Sequence, residues 1–157
     1  MDWFVRAFVK TSLSWFGAGV LLGLSMAIHP SWTVYRTAHI HMNLLGFVAM
    51  MIFGVAYHVM PRFASHPLHS RRLAGVHWWL ANTGLALFVI GLMAPASAPG
   101  VRAVLLPVGG LLSAAGAYAF IYNIWRTLDA SSAATVRIAR PSTREPGSRR
   151  LGSGATS

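Results

Sequence analysis

Seven histidines and no cysteine define the chemistry open to this chain of 157 residues. Without thiols it has no disulfides, no thiolate metal sites and no cysteine nucleophile. Two of the histidines stand one residue apart in Thr37-Ala38-His39-Ile40-His41-Met42-Asn43, at the start of an apolar run long enough to cross a bilayer as a helix. Two steps along an α-helix rotate by about 200°, so the two imidazoles point to nearly opposite faces. One metal ion does not easily take both, unlike the i, i+4 pair of a zinc helix. The spacing suits one helix that serves two cofactors, one on each side. Imidazole holds haem iron without a neighbouring carboxylate or thiolate, and the apolar runs contain no Asp, Glu or Cys. A zinc hydrolase site and a di-iron carboxylate site are disfavoured on the same ground. On the residues alone two readings stay open: haem ligation, or interfacial histidines hydrogen-bonded to headgroups and carbonyls.

His29 closes the first apolar run at about the depth where the second begins, which makes it the first candidate partner for His39 or His41. The same histidine pair in a second copy of the chain is the other candidate. His58 and His77 fall near the opposite end of the helices and are weaker metal candidates that can pair with each other. On an ideal α-helix, His41 and His58 are about 25 Å apart and rotated by about 260°. They then share no face, so two haems stacked along this one helix are not expected. His66 and His69 lie in a basic loop and read as surface residues.

The elements that must position these groups follow from composition. Hydrophobic residues make up 55% of the chain and charged residues 10%, far below the quarter or so typical of soluble domains. The apolar residues fall into four blocks, which predicts an all-α fold: an integral membrane bundle of four transmembrane helices at about 8–28, 37–60, 74–94 and 102–125. Transmembrane strands would be about half as long and alternate in polarity. Pro61 marks the end of the second helix, Pro95 and Pro99 the end of the third, and Pro107 lies in the first turns of the fourth. The predicted domain covers 1–126. The remainder, 127–157, is rich in Ser, Arg, Gly, Pro and Thr and is expected to be a disordered basic tail. The first block exceeds the apolar core of a signal peptide and no small-x-small site follows it, so it is expected to be a retained helix.

The formal charge of +10 reads as topology rather than as a nucleic-acid interface. Eleven of the basic residues fall before or at the start of the first block, between the second and third, or after the fourth, while Arg36 and Arg102 alone fall on the other side. That asymmetry places both termini in the cytoplasm, for a bacterial chain in the inner membrane. Small residues recur at packing spacing in Gly19-x-x-x-Gly23, Gly109-x-x-x-Ser113 and Ser113-x-x-x-Ala117. Such stripes let helices approach closely, within one chain by default or between two chains.

The stretch Ala38-His39-Ile40-His41-Met42-Asn43-Leu44-Leu45-Gly46-Phe47, continuing to Phe53-Gly54-Val55-Ala56-Tyr57-His58-Val59-Met60-Pro61-Arg62, resembles the tenth helix of subunit I of the haem-copper oxidases, with the cb-type oxidases and nitric oxide reductases nearest. Val76-His77-Trp78-Trp79-Leu80-Ala81-Asn82-Thr83-Gly84 is similar to the helix that follows it in that family. The resemblance covers roughly residues 15–125, as if the last four helices of a twelve-helix subunit stood alone. It implies that His39 matches the axial ligand of the high-spin haem and His41 a ligand of the low-spin haem. It also implies that Arg102, with Arg36, lies against haem propionates. The family's copper or non-haem iron, and its second low-spin ligand, are held by helices that have no counterpart in this sequence. What the resemblance implies is therefore a b-type haem protein that carries electrons or binds NO or O2, with one or two haems per chain or shared in a dimer, and not a complete oxidase. The alternative is a non-catalytic scaffold or assembly factor for a respiratory or denitrification complex. A copper-handling role for Met26, Met42, Met50, Met51 and Met60 is weaker, since methionine packs adaptably between helices.

Overall fold

Prolines and one serine mark where the last three of the four helices start. The computed structural model describes residues 1–139, with side chains through residue 130. Helix α1 spans Trp3–Ile28. Helix α2 spans Pro30–Phe63 and opens on Pro30 as a 3-10 turn, Pro30–Tyr35, where a first-turn amide has no intrahelical acceptor to lose. Helix α3 spans Arg71–Met93, capped by Ser70, whose hydroxyl accepts from the Leu73 amide at 3.1 Å. Helix α4 spans Pro99–Ala139. All four are long and apolar enough to cross a membrane.

The helices run up and down in turn, and the small residues show it. A Cβ on Gly23 would meet the His39 ring, one on Gly19 the Asn43 amide and one on Gly54 the Phe8 side chain, so α1 and α2 are antiparallel. Gly84 lies against Gly109 and Ser113, and Gly116 against His77 and Ala81, which makes α3 and α4 antiparallel too. These two are the most extensively packed helix pair. Every one of the predicted small-residue stripes thus has a partner inside the chain, the intrachain use expected of them. The buried core runs along the inner faces: Phe4, Val5 and Phe8 on α1, Met50 and Tyr57 on α2, Ala81, Leu85 and Val89 on α3.

Several boundaries differ from the sequence expectation: the helices begin at residues 3, 30, 71 and 99 rather than at about 8, 37, 74 and 102. α2 continues two residues past Pro61, because a proline in the last turn removes only its own amide and the residues after it still donate backward, Ala64 to the Met60 carbonyl at 2.9 Å. α4 does not stop at residue 127. The stretch 127–139 contains no glycine or proline and is rich in alanine, and the next breaker is Pro141. The rest of the expected tail, 140–157, lies outside the described residues. Within α2, Met42–Ala49 is a π-helix, which adds a residue to the turn. The ideal-helix arithmetic between His41 and His58 therefore does not carry across it.

Close packing at Gly109 makes a measurable demand. An added Cβ would lie 2.5 Å from the Phe88 backbone nitrogen and 2.7 Å from the Gly84 carbonyl oxygen, and neither backbone atom can swing away. Gly109→Ala is expected to destabilise the bundle by about 1–3 kcal/mol, read as thermal unfolding in detergent. Gly17→Ala, with open space around it, should not lower the midpoint.

Candidate functional site

His39 and His41 occupy the single α-helical turn and a half, Arg36–His41, between the 3-10 start and the π stretch of α2. From there they face different neighbours. The His39 ring leans onto α1, where Nδ1 lies 2.9 Å from the Gly19 carbonyl oxygen, and the missing side chain of Gly23 makes room for Cε1. The His41 ring turns toward α3 and packs on Phe88 with centroids 5.0 Å apart. Its Nδ1 lies 2.8 Å from the Thr37 carbonyl oxygen.

A carbonyl oxygen only accepts, so each contact is a hydrogen bond when Nδ1 carries the hydrogen, which in the neutral ring leaves the lone pair on Nε2. A histidine that holds a metal donates its other ring N–H in this way, to a carbonyl or carboxylate that sets its tautomer and aim. Asn43 completes the arrangement. Its amide donates to the His39 carbonyl at 2.8 Å, where the ladder passes into the π stretch. Its nitrogen also lies 3.5 Å from His39 Nδ1, too long to displace the Gly19 contact. A side chain that takes a ladder acceptor is a known cause of such irregularities.

The other candidates are dispersed. His29 is exposed and stacks near Trp32, ring centroids 5.8 Å apart, with no hydrogen bond to the pair. Arg36 and Arg102 are exposed at the starts of α2 and α4, at the end of the bundle that carries the pair. Among the described residues no three His, Asp or Glu side chains gather into a group fit to hold a metal ion. Of the methionines, Met42 and Met50 are buried packing residues.

His77 pairs with Tyr57 rather than with His58, the pairing the sequence left open. It is fully buried, and its Nδ1 pairs with the Tyr57 hydroxyl at 3.0 Å. Phe8, Phe53 and Phe120 surround it at centroid distances of 4.8, 4.6 and 5.6 Å. With Gly116 against its Cδ2, the ring has no room beside it for a macrocycle, so its place is in the core. His58 lines an open hollow at the same end of the bundle.

A second polar device was not visible from spacing. Asn123 and Thr127, both fully buried on α4, grip the loop before α3. The Asn123 carbonyl accepts from the Ser70 amide at 2.9 Å and its amide donates to the Ser70 carbonyl at 2.8 Å. Thr127 Oγ1 accepts from the His69 amide at 3.0 Å. The only hint in the sequence is polar residues at i, i+4 where an apolar helix ends.

Comparison with known proteins agrees with this architecture. A family model described as cytochrome c and quinol oxidase polypeptide I matches residues 4–142. Subunit CcoN1 of the cbb3-type cytochrome c oxidase of Stutzerimonas stutzeri is 31% identical over 165 residues, covering 83% of this chain and 34% of that protein. Cytochrome c oxidase subunit 1 of Rhodobacter capsulatus is 29% identical over 129 residues, covering 66% of this chain and 24% of that protein. A subunit 1 homolog of Agrobacterium tumefaciens is 26% identical over 129 residues. The chain thus spans about a third or less of the length of these relatives.

Removing the Tyr57 hydroxyl isolates the polar contact inside the aromatic core. Tyr57→Phe leaves His77 Nδ1 without its partner, and a loss of about 1–3 kcal/mol is expected in detergent unfolding. Combining it with His77→Phe should recover part of that loss, because no polar ring is then stranded.

Proposed function

The chain belongs to the cytochrome c and quinol oxidase polypeptide I family, and from that premise we propose that it is a membrane b-type haem-binding protein, with His39 and His41 as axial ligands. The observation that carries the reading is how each ring is seated. Each Nδ1 lies within hydrogen-bond distance of a backbone carbonyl oxygen, the contact by which a metal-holding histidine is aimed, with Nε2 left for iron. Because one ring leans on α1 and the other on α3, the two serve separate irons. Arg36 and Arg102, exposed at the same end, supply positive charge for haem propionates. Haem would supply one-electron chemistry or a site for a diatomic gas, and the number of axial histidines decides which. Two make a low-spin electron carrier, and one leaves a position for NO or O2.

The protein residues have distinct parts in this proposal. Gly19 and Asn43 orient His39, Gly23 leaves the ring its space, and Thr37 orients His41. His29, or a histidine of a second copy, is the proposed source of a further axial nitrogen. The four apolar helices make this an integral membrane protein. The basic residues argue for termini in the cytoplasm, and the relatives, which are named as oxidase subunits, make a homodimer or a respiratory complex the proposed setting.

A reduced-minus-oxidised spectrum of the purified chain with a haem count tests this. A Soret band is expected in the wild type, weakened in both His39→Ala and His41→Ala. No band in the wild type, or an unchanged band in both variants, would overturn the proposal. Gly23→Ala places a Cβ 2.9 Å from His39 Cε1, and should lower haem affinity roughly tenfold without touching a ligand. Carbon monoxide binding to the reduced form separates gas binding from electron transfer.

A further inference from the structure

Beyond the histidine pair, at the opposite end of the bundle, α2 runs out into the loop before α3 and leaves a hollow of about 480 Å³. Its lining includes His58, Arg62, His66 and Arg71, with Asp2 and the Tyr57 ring. The charge there is unbalanced. Asp2 is paired with Arg71. The whole chain has three acidic residues, and of the other two Asp129 is exposed on α4 away from the hollow and Glu145 lies outside the described residues. Among the described residues Arg62 has no carboxylate partner. One of its amines donates to the His58 carbonyl at 2.6 Å, which holds the guanidinium at the rim with its other N–H groups unspent.

The loop itself is shaped around the hollow. Ser65, which lines it, has φ 48, a left-handed conformation that favours glycine. The turn is closed by the Ser65 amide donating to the Arg62 carbonyl at 3.1 Å and the His66 amide to the Pro61 carbonyl at 3.1 Å, the pattern of a helix that ends on a left-handed residue. It carries His66 back over the hollow, where Nδ1 lies 2.9 Å from the Pro67 carbonyl oxygen, so that Nε2 is left for another partner. The nearby amides of His69 and Ser70 are already taken by Thr127 and Asn123. Recognition in the hollow therefore falls to side chains, and those are guanidinium and imidazole.

Guanidinium groups bind phosphate oxygens in pairs of parallel hydrogen bonds, and a basic pocket at the end of a transmembrane bundle faces the headgroup layer. We propose that this hollow is a phosphate site that takes the headgroup of an anionic phospholipid. The site is independent of haem and does not rest on the function proposed above.

Native mass spectrometry of the full chain in detergent, titrated with phosphatidylglycerol or phosphatidylcholine, tests it. The wild type is expected to retain phosphatidylglycerol preferentially. Arg62→Gln should lower that preference roughly tenfold, and His66→Gln should lower it less. Arg126→Gln, an exposed basic residue on α4 outside the hollow, should leave it unchanged. Helical circular dichroism of each variant confirms that the bundle is intact. Equal retention of the two lipids, or an equal loss in Arg126→Gln, would overturn the site. Binding of inorganic phosphate with no retention of phosphatidylglycerol would overturn the lipid as its ligand and assign the hollow to free phosphate.

Discussion

His39 reaches the carbonyl of Gly19 across a gap that exists because neither Gly19 nor Gly23 carries a side chain. Much of the structure depends on that approach. Within a bilayer an imidazole has no water to pair with, so an unbonded ring nitrogen costs several kcal/mol in hydrocarbon, on the order of other unsatisfied polar groups. Seating the ring on a backbone carbonyl answers this at one nitrogen and leaves the other free for a ligand. The same contact joins α1 to the N-terminal half of α2 beside the histidine pair. Asn43, one turn further on, spans the junction by bonding the His39 carbonyl, and the π stretch begins there. Irregular turns of this kind occur frequently at functional sites.

The opposite end of the bundle handles polar groups differently. His77 is enclosed by aromatic rings and paired with Tyr57, and Asn123 and Thr127 clamp the loop before α3 to α4. Here the hydrogen-bonded side chains hold helices together, as interhelical hydrogen bonds do in membranes at about 1 kcal/mol each, while His77 Nε2 is buried without a hydrogen-bond partner among the described residues. His77 and His39 are both histidines on transmembrane helices, yet one is a core residue and the other a ligand candidate. The difference is access. His77 has Phe8, Phe53, Phe120 and Gly116 packed around it, whereas His39 and His41 are only partly buried, with their Nδ1 atoms occupied and their Nε2 atoms free of a protein partner.

Much of this was legible from residue types. Four apolar blocks, the scarcity of charge and the small-residue stripes specify four antiparallel membrane helices, because the bilayer leaves an apolar segment of that length few alternatives to a helix. The motif around His39 and His41 also identifies the family, and the two-residue spacing alone requires that the imidazoles face different neighbours. Helix ends were less legible. Pro61 reads as a stop, but its cost depends on whether the following amides find acceptors, and the turn at Ser65 supplies them.

The tertiary structure decided what spacing cannot encode. Gly19-x-x-x-Gly23 marks a close contact but not what fills it, and only the fold shows that His39 and Asn43 do. His77 is a weaker candidate than His41 in the sequence, and only the fold shows the rings packed around it. The seat of His39 on Gly19, the clamp at Ser70 and the basic hollow beside Ser65 all depend on residues far apart in the chain meeting in space. Periodicity in the sequence reports one helix at a time, since it follows from local backbone geometry. Which polar groups are satisfied, and which remain free to bind, is set by the neighbours that packing brings.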